Sequence, residues 1–304
     1  MRFARTIIAV ILLLSSVCRG ALTKQVVLPL RIVDGEPNDD GRIFGVDVFC
    51  NSVPGTLELG CFGQSRISES FARHCAATIE PELGDNIERD PDGKPVMAGT
   101  AKITLKLAEL EFELPVHVMR DIYCEKSERQ GMIGLDVFSH FQWEIDPTKP
   151  TLTLRPIGTP PRVRPLAMIP ITLDKEAVLV RARIRNRTEE LALLPGTSFI
   201  QVGPSFQKAW DFNTGQKMKL DVNRYGEVRT VWLHGDDAVE LAPGFIKDTD
   251  LRVAIMPARQ DGQIVTSGLG QCLMNRFIYC VEPKRGQLRI MSRVAGPTTR
   301  PQQR

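Results

Sequence analysis

The sequence of 304 residues predicts an all-β fold, mostly strand with a few short helices, arranged as two similar β-barrel lobes. Three observations predict it: the chain repeats itself at a spacing of about 136 residues, short apolar segments recur between turns, and helical segments are few. A repeat of this length is a small domain rather than one unit of a solenoid. The two lobes are therefore expected to be related by a pseudo-two-fold axis.

The duplication consists of three blocks that occur in the same order in both halves. The longest block, GLDVFSHFQWEIDP, returns without a gap as GQCLMNRFIYCVEP. The repeated blocks are 57–61 with 193–197, 114–119 with 251–256, and 134–147 with 270–283. Three ordered matches indicate a duplicated domain rather than a chance similarity between two turns.

Strands are predicted wherever alternating or β-branched apolar residues lie between turn residues. These segments are 26–33, 44–49, 103–107, 114–119 and 151–154 in the first half, and 178–184, 228–233, 251–255 and 288–291 in the second. Short helices are predicted at 69–76, after Ser68, and at the paired segments 136–141 and 272–277.

Residues 1–20 have the features of a secretory signal peptide. Arg2 and Arg5 precede an apolar run at 7–14 that is too short to span a bilayer, and cleavage is predicted after Gly20. Lipid attachment at Cys18 is the alternative, but Val17 is unfavourable before an acylated cysteine. We therefore expect an exported protein, in the periplasm, the envelope or the extracellular space, with no transmembrane span.

The remaining chain divides into an N-terminal lobe at 21–155, a Pro-rich linker at 156–165, a C-terminal lobe at 166–292 and a disordered tail at 293–304. Removal of the signal peptide takes away three arginines and no acid, which leaves 36 basic against 36 acidic residues. A neutral chain gives no support for nucleic-acid binding. The oligomeric state cannot be inferred from these residues.

Six cysteines remain after removal of the signal peptide, and in an exported protein an even number permits disulfides. The disulfide candidates are Cys50, Cys61, Cys75, Cys124, Cys272 and Cys280, with a local bridge between Cys61 and Cys75 as the first expectation. No Cys or His cluster has zinc-ligand spacing, so neither a metal nor another cofactor is expected.

The repeated blocks resemble the aspartic peptidases, especially retropepsin-like domains. In that family one strand ends in Asp-Thr-Gly, and a later strand ends in Ile-Ile-Gly-x-Asp before a short helix. The segment 131–138, GMIGLDVF, is similar to the second element, and Ser267-Gly268-Leu269-Gly270 is its counterpart in the second half. The resemblance covers nearly all of the mature chain and implies a bilobal, pepsin-like arrangement, with Gly134, Asp136 and Gly270 in structural roles.

The resemblance implies one catalytic aspartate from each lobe, because the reaction needs two carboxylates that share a proton. Aligned on Gly60 and Gly196, the Asp-Thr-Gly triplets become Glu58-Leu59-Gly60 and Leu194-Pro195-Gly196. Glu58 would then be a degenerate first acid, and Leu194 would stand at the lost second acid. The binding cleft is expected to include Glu58, Gly60, Cys61, Gly196, Thr197 and Ser198.

Other groups offer weaker chemistry. Asp136 is expected to cap the short helix that follows Gly134, and Asp146 to end a strand before Pro147. Cys61 could act as a thiol nucleophile with His74, His117, His140 or His234 as its base, although a disulfide is the more ordinary role for an exported cysteine. The cluster His234-Gly235-Asp236-Asp237 fits a polar loop better than a ligand site.

Three functions remain open at this stage. The first is a non-catalytic pseudopeptidase that holds an extended peptide, a protein segment or another ligand in the groove between the lobes. The second is an active aspartic-type endopeptidase with an atypical dyad that includes Glu58. The third is a structural envelope or extracellular interaction module.

Overall fold

The structure, a computed structural model, describes residues 17–19, 22–34, 41–60, 63–81, 90, 93–123, 130–160, 163–174, 177–184, 187–203, 219–223, 226–232, 239–241, 246–248, 252–255 and 267–293. These residues form 23 strands and three short α-helices. The prediction of an all-β fold is therefore confirmed.

The first half contains eleven strands, two helices and one 3₁₀ turn at Asp121–Tyr123. The strands are β1 (Val17–Arg19), β2 (Val26–Asp34), β3 (Ile43–Cys50), β4 (Val53–Leu59), β5 (Arg66–Ser68), β6 (Ile79–Glu80), β7 (Met97–Leu107), β8 (Leu110–Met119), β9 (Gly131–Ile133), β10 (Gln142–Asp146) and β11 (Thr151–Arg155), and the helices are α1 (Glu69–His74) and α2 (Leu135–Phe138).

The second half contains twelve strands, one helix and a 3₁₀ turn at Pro283–Arg285. The strands are β12 (Ala167–Leu173), β13 (Val178–Ile184), β14 (Arg187–Leu193), β15 (Ile200–Val202), β16 (Lys219–Asn223), β17 (Gly226–Trp232), β18 (Val239–Leu241), β19 (Ile246–Asp248), β20 (Arg252–Ile255), β21 (Gly268–Leu269), β22 (Phe277–Glu282) and β23 (Gln287–Arg293), and the helix is α3 (Gln271–Met274).

Both lobes use the same unusual strand pairings. In the first lobe β4 runs parallel to β9, and β5 runs parallel to β8 and antiparallel to β9. In the second lobe β14 runs parallel to β21, and β15 runs parallel to β20 and antiparallel to β21. The topology thus repeats with the sequence, and it fits the aspartic-peptidase-like fold that the resemblance implies.

The lobes are joined by a six-stranded antiparallel sheet in the order β2, β11, β10, β22, β23, β12. At its centre Glu144 of β10 pairs with Cys280 of β22, flanked by Trp143 opposite Val281 and Ile145 opposite Tyr279. Glu144 and Cys280 are also each other's counterparts in the duplicated sequence. The pseudo-two-fold axis of this sheet therefore passes between them.

One face of this sheet is apolar and belongs to the core. Trp143 and Tyr279, which are counterparts in the repeat, meet edge to face at 6.2 Å across the axis and are both fully buried. Such aromatic contacts add about 1 kcal/mol to the burial of the rings. The opposite face carries ion pairs: Glu144 with Arg155 at 2.7 Å, and the fully buried Glu282 with Arg289.

Short elements follow local sequence signals. The Ser68 hydroxyl accepts a hydrogen bond from the Phe71 backbone N–H at 3.2 Å and so caps α1. The predicted helices at 136–141 and 272–277 are shorter than expected, because each ends in a turn before the next strand. At Asp146 the carboxylate accepts from the backbone N–H of Thr148 at 2.9 Å, which forms the predicted turn after β10.

The two ends of the chain lie largely outside the described residues. Residues 17–19, at the end of the predicted signal peptide, pair with residues 111–113 of β8, and cleavage after Gly20 stays a prediction. Apart from Arg293, which ends β23, the predicted tail lies outside the described residues. No described helix has the length and apolar character needed to cross a membrane.

Candidate functional site

The two turns expected to carry the acids follow equivalent strands. At the end of β4 the backbone N–H of Gly60 donates to the Ile133 carbonyl at 2.8 Å, and at the end of β14 the N–H of Leu194 donates to the Leu269 carbonyl at 2.9 Å. Ile133 and Leu269 are counterparts in the repeat. Gly60 and Leu194 therefore occupy equivalent positions in the two lobes.

This equivalence corrects the sequence alignment at the first turn. Glu58 pairs with Met132, whereas Ala192 pairs with Gly268, so the counterpart of Glu58 is Ala192 rather than Leu194. The predicted alignment on Gly60 and Gly196 is wrong by two residues. A shift of two residues keeps every side chain on the same face of a strand, so the apolar pattern could not reveal it.

Gly60 would therefore correspond to the first acid position of the family that the chain resembles, and Leu194 to the second. Under the corrected alignment Leu194-Pro195-Gly196 still corresponds to Asp-Thr-Gly, while the first turn reads Gly60-Cys61-Phe62. The alignment predicted from the sequence would place Glu58 against Leu194 and would also leave the second lobe without an acid. Neither assignment provides the pair of carboxylates.

The first acid position is filled by a neighbouring side chain. A β-carbon added to Gly60 would overlap Cγ and Sδ of Met132. Real β-carbons essentially never approach other atoms so closely. The space that an aspartate side chain would enter is therefore occupied by a thioether.

The second acid position is filled in the opposite way. Leu194 is only 8% exposed, and its side chain folds back over Gly268, where an added β-carbon would overlap Cγ and Cδ1 of the leucine. Gly268 is the counterpart of Met132. One lobe thus combines a glycine turn residue with a large strand partner, and the other combines a large turn residue with a glycine partner.

Glu58 nevertheless reaches across the midline. A β-carbon added to Gly196 would overlap Oε1 of Glu58. The same β-carbon would lie 3.5 Å from Sδ of Met132. Glu58 is 8% exposed. The two turns consequently face each other, as the bilobal arrangement implies, with a buried carboxylate of one lobe against the glycine of the other.

The second turn is supported by Gln271, a residue that the sequence did not single out as functional. Its Nε2 donates to the Pro195 carbonyl at 2.6 Å, and its backbone N–H donates to the Thr197 carbonyl at 2.7 Å. The backbone N–H of Cys272 donates to the Ser198 carbonyl at 3.1 Å. The sequence did hold one indication of its role, because Gln271 is polar whereas its counterpart in the first lobe, Leu135, is apolar.

The first turn is held by Asp136 through a different contact from the one predicted. Its carboxylate accepts hydrogen bonds from the hydroxyl and backbone N–H of Ser65, at 2.7 and 3.1 Å, while Gly134 is the N-cap of α2. The prediction that Asp136 caps the helix is therefore wrong. Burial raises the pKa of the Asp136 carboxyl, and the hydrogen bonds from Ser65 and Val137 offset part of that rise.

The predicted structural glycines lie where the turns pass closest to the short helices. A β-carbon at Gly134 would lie 2.5 Å from the Gly63 carbonyl oxygen, and one at Gly270 would lie 2.6 Å from the Thr197 carbonyl oxygen. Neither site has room for a side chain. The glycines therefore allow close packing between helix and turn in both lobes.

Four of the six disulfide candidates lie in the described part of the chain. Cys50, Cys75, Cys272 and Cys280 are buried and form no disulfide, while Cys61 and Cys124 lie outside the described residues. The expected bridge between Cys61 and Cys75 is therefore not formed in this structure. Burial, with a smaller contribution from Glu144, raises the pKa of the Cys280 thiol to about 11.

The histidines proposed as bases for Cys61 are scattered. His74 is exposed at the end of α1, the backbone N–H of His117 donates to the Ser65 carbonyl at 3.1 Å, and the His140 ring lies 6.3 Å from those of Phe112 and Phe141. His234 and the polar cluster 234–237 lie outside the described residues. Within the described ranges no group of three or more His, Cys, Asp or Glu side chains is arranged to hold a metal ion.

The chain matches no family model and no curated protein. Among solved structures it is similar to conglutin gamma, a basic 7S globulin from lupine seeds, at 9% identity and a TM-score of 0.45 over 88% of this chain and 95% of that one. It is also similar to the basic 7S globulin from soybean, at 11% identity and a TM-score of 0.44 over 88% and 96% of the two chains. Neither likeness is close enough to support a statement about function.

Proposed function

We propose that this protein is a non-catalytic pseudopeptidase that holds an extended peptide or a similar ligand between its two lobes. The observation that carries the proposal is the filling of both acid positions by apolar atoms, Met132 over Gly60 and Leu194 over Gly268. Hydrolysis in the family that the chain resembles needs two carboxylates that share one proton. Neither a thioether nor a leucine side chain transfers a proton.

Glu58 does not restore that chemistry. It precedes the first acid position by two residues in β4, and the turn that it faces, Leu194 to Ser198, contains no acid. The reaction in that family needs a second carboxyl group to share the proton, and this turn supplies none. An active endopeptidase that uses Glu58 remains the alternative outcome of a cleavage assay.

The second turn offers the polar groups that a bound chain needs. Residues 196–199 are partly exposed, whereas residues 191–195, which precede them, are buried. An extended ligand there would be bound through main-chain hydrogen bonds and side-chain pockets rather than by covalent chemistry. Loss of the acids removes the reaction and leaves this surface in place.

The test is to mix the full chain with a pool of peptides, isolate the complex by gel filtration and identify the retained peptides by mass spectrometry. A selected peptide at 100 times its Kd is expected to raise Tm by roughly 5 to 10 °C. Thr197→Trp, at the partly exposed second turn, should abolish this rise. Thr172→Trp, at an exposed position of strand β12, is the matched control and should retain it.

The outcomes separate the competing functions. Retention of intact peptides that is lost only in Thr197→Trp supports the proposal. No retained peptide and no ligand-dependent change in Tm would favour a structural envelope or extracellular interaction module. Recovery of cut peptides would favour an active peptidase.

Export is part of the same proposal. The motivation is the signal-like segment 1–20, with its arginines and its apolar run. Mass spectrometry of the secreted chain is expected to show Ala21 at the N-terminus. A chain that begins at a lipid-modified Cys18 would instead show that it is anchored to a membrane.

A further inference from the structure

Cys50 and Cys75 approach each other at one end of the first lobe. Cys50 is the last residue of β3 and is fully buried, and Cys75 is the C-cap of α1 and is 2% exposed. Both side chains belong to the same hydrophobic core. The two cysteines come from positions that are 25 residues apart in the sequence.

Asn51 fixes the distance between these two elements. Its side-chain Nδ2 donates to the Cys75 carbonyl at 3.1 Å, and its Oδ1 accepts from the backbone N–H of Thr104 at 2.8 Å. The residue directly after Cys50 is thus bonded to Cys75 itself and to the neighbouring strand β7. This arrangement holds the end of the helix against the end of the strand.

The electrostatics agree with this proximity. Burial raises the pKa of the Cys50 thiol to about 12, and the neighbouring Cys75 sulfur contributes to the rise. Burial also raises the pKa of Cys75. Two charged thiolates would repel each other here, whereas a disulfide removes both ionisable groups.

We propose that Cys50 and Cys75 form a disulfide when the chain folds under oxidising conditions. The oxidant is a small-molecule disulfide such as oxidised glutathione. The Cys75 thiolate attacks one sulfur of the oxidant and releases one glutathione thiolate. The Cys50 thiolate then attacks the Cys75 sulfur of the mixed disulfide and releases the second. The two protein thiols lose two electrons and two protons, and one glutathione disulfide becomes two glutathione thiols.

The timing of this reaction follows from burial. Only a thiolate attacks a disulfide, and in the folded protein both thiols are buried with raised pKa values. The bridge therefore forms during folding, before burial, and resists reduction afterwards. The proposal concerns the first lobe alone and does not depend on what the groove binds.

The experiment is to refold the full chain with reduced and oxidised glutathione, alkylate the remaining thiols and digest it without reduction. Trypsin alone leaves Cys50 and Cys61 on one peptide, 43–66, so the digestion must also cleave after Glu58, and it then cleaves after Glu82 as well. The expected product joins 43–58 to 74–82. A product that joins 59–66 to 74–82, or complete alkylation of Cys50 and Cys75, would overturn the proposal.

Variants provide a second readout. After oxidative refolding, Cys50→Ala and Cys75→Ala are each expected to lower Tm by about 5 to 10 °C, and the double variant should lower it by no more than either. Cys280→Ala, which changes an equally buried cysteine of the interlobe sheet, is the matched control. Its effect on Tm should be the same after refolding with and without the oxidant. Additive effects of Cys50→Ala and Cys75→Ala, or equal effects after reducing refolding, would contradict a shared bridge.

Discussion

Gly60 and Leu194 occupy the same position in the two lobes, each donating its backbone N–H to the carbonyl of the strand residue that precedes Gly134 or Gly270. An aspartic peptidase needs a carboxylate at both places. Gly60 has no side chain, and the Met132 side chain fills the space beside it. The Leu194 side chain fills the space beside Gly268, which has no side chain either. Both positions are therefore occupied by apolar atoms, although the glycine and the large residue are exchanged between the two lobes.

The contact between Glu58 and Gly196 predicts sensitivity to the size of a side chain added at Gly196. Gly196→Ala is expected to reduce the free energy of unfolding by about 1 kcal/mol or less, because Oε1 lies at the end of a flexible side chain and can move away from the added β-carbon. Gly196→Leu is expected to cost about 1 to 3 kcal/mol, measured by urea denaturation, because the larger side chain would also displace Glu58 and Met132. Combining Gly196→Leu with Glu58→Ala should recover part of the loss. A neutral Gly196→Leu would show that the two turns do not meet.

The packing of Leu194 over Gly268 predicts a compensating pair. Gly268→Ala alone is expected to cost about 1 to 3 kcal/mol through overlap with the leucine, and Leu194→Ala alone about 2 to 5 kcal/mol through a cavity. The double variant should be more stable than the sum of the two losses predicts. Thermal unfolding of all four proteins completes the cycle, and strict additivity would contradict the contact.

Asp136 predicts a defined pH dependence. Because burial raises the pKa of this carboxyl above 3.8, ionisation is less favourable in the folded state than in the unfolded state. The protonated Asp136 side chain therefore stabilises the folded state. This stabilisation is fully present below about pH 3.8 and is lost as the pH rises through the pKa of Asp136 in the folded state. The free energy of unfolding of the wild type, minus that of Asp136→Asn, should fall as the pH rises above 3.8 and through the raised pKa of Asp136.

Asp174→Asn, at an exposed position, controls for the general effect of removing one carboxylate from the chain. A difference between the wild type and Asp136→Asn that rises with pH would mean that the hydrogen bonds from Ser65 outweigh burial. The sign of the slope therefore decides which effect is larger.

The buried ion pair of Glu282 with Arg289 predicts an asymmetric response. Glu282→Ala is expected to cost about 3 to 5 kcal/mol, because it leaves an almost fully buried guanidinium without that partner. Replacing both residues by leucine should cost less. The exposed pair of Arg31 with Asp47 is the control, and Asp47→Ala should cost about 1 kcal/mol or less. Equal losses at the two sites would contradict the role of burial.

The sequence predicted the fold better than it predicted the site. The duplication and the Gly134 and Gly270 blocks identified the lobes because each glycine is required by close backbone packing. The register at the first turn could not be predicted, because a strand shifted by two residues keeps the same buried face. The contacts of Glu58 with Gly196 and of Gln271 with Pro195 also escaped prediction, since they join residues far apart in the chain.

The most direct measurement of the central claim is a cleavage assay on the purified chain with a mixed peptide library, followed by mass spectrometry from about pH 3 to about pH 7, the range that carboxylate pairs use. With both acid positions filled by Met132 and Leu194, the library should remain intact at every pH. Cleavage that is inhibited by pepstatin and abolished by Glu58→Gln would contradict the account, because it would show a working carboxylate dyad.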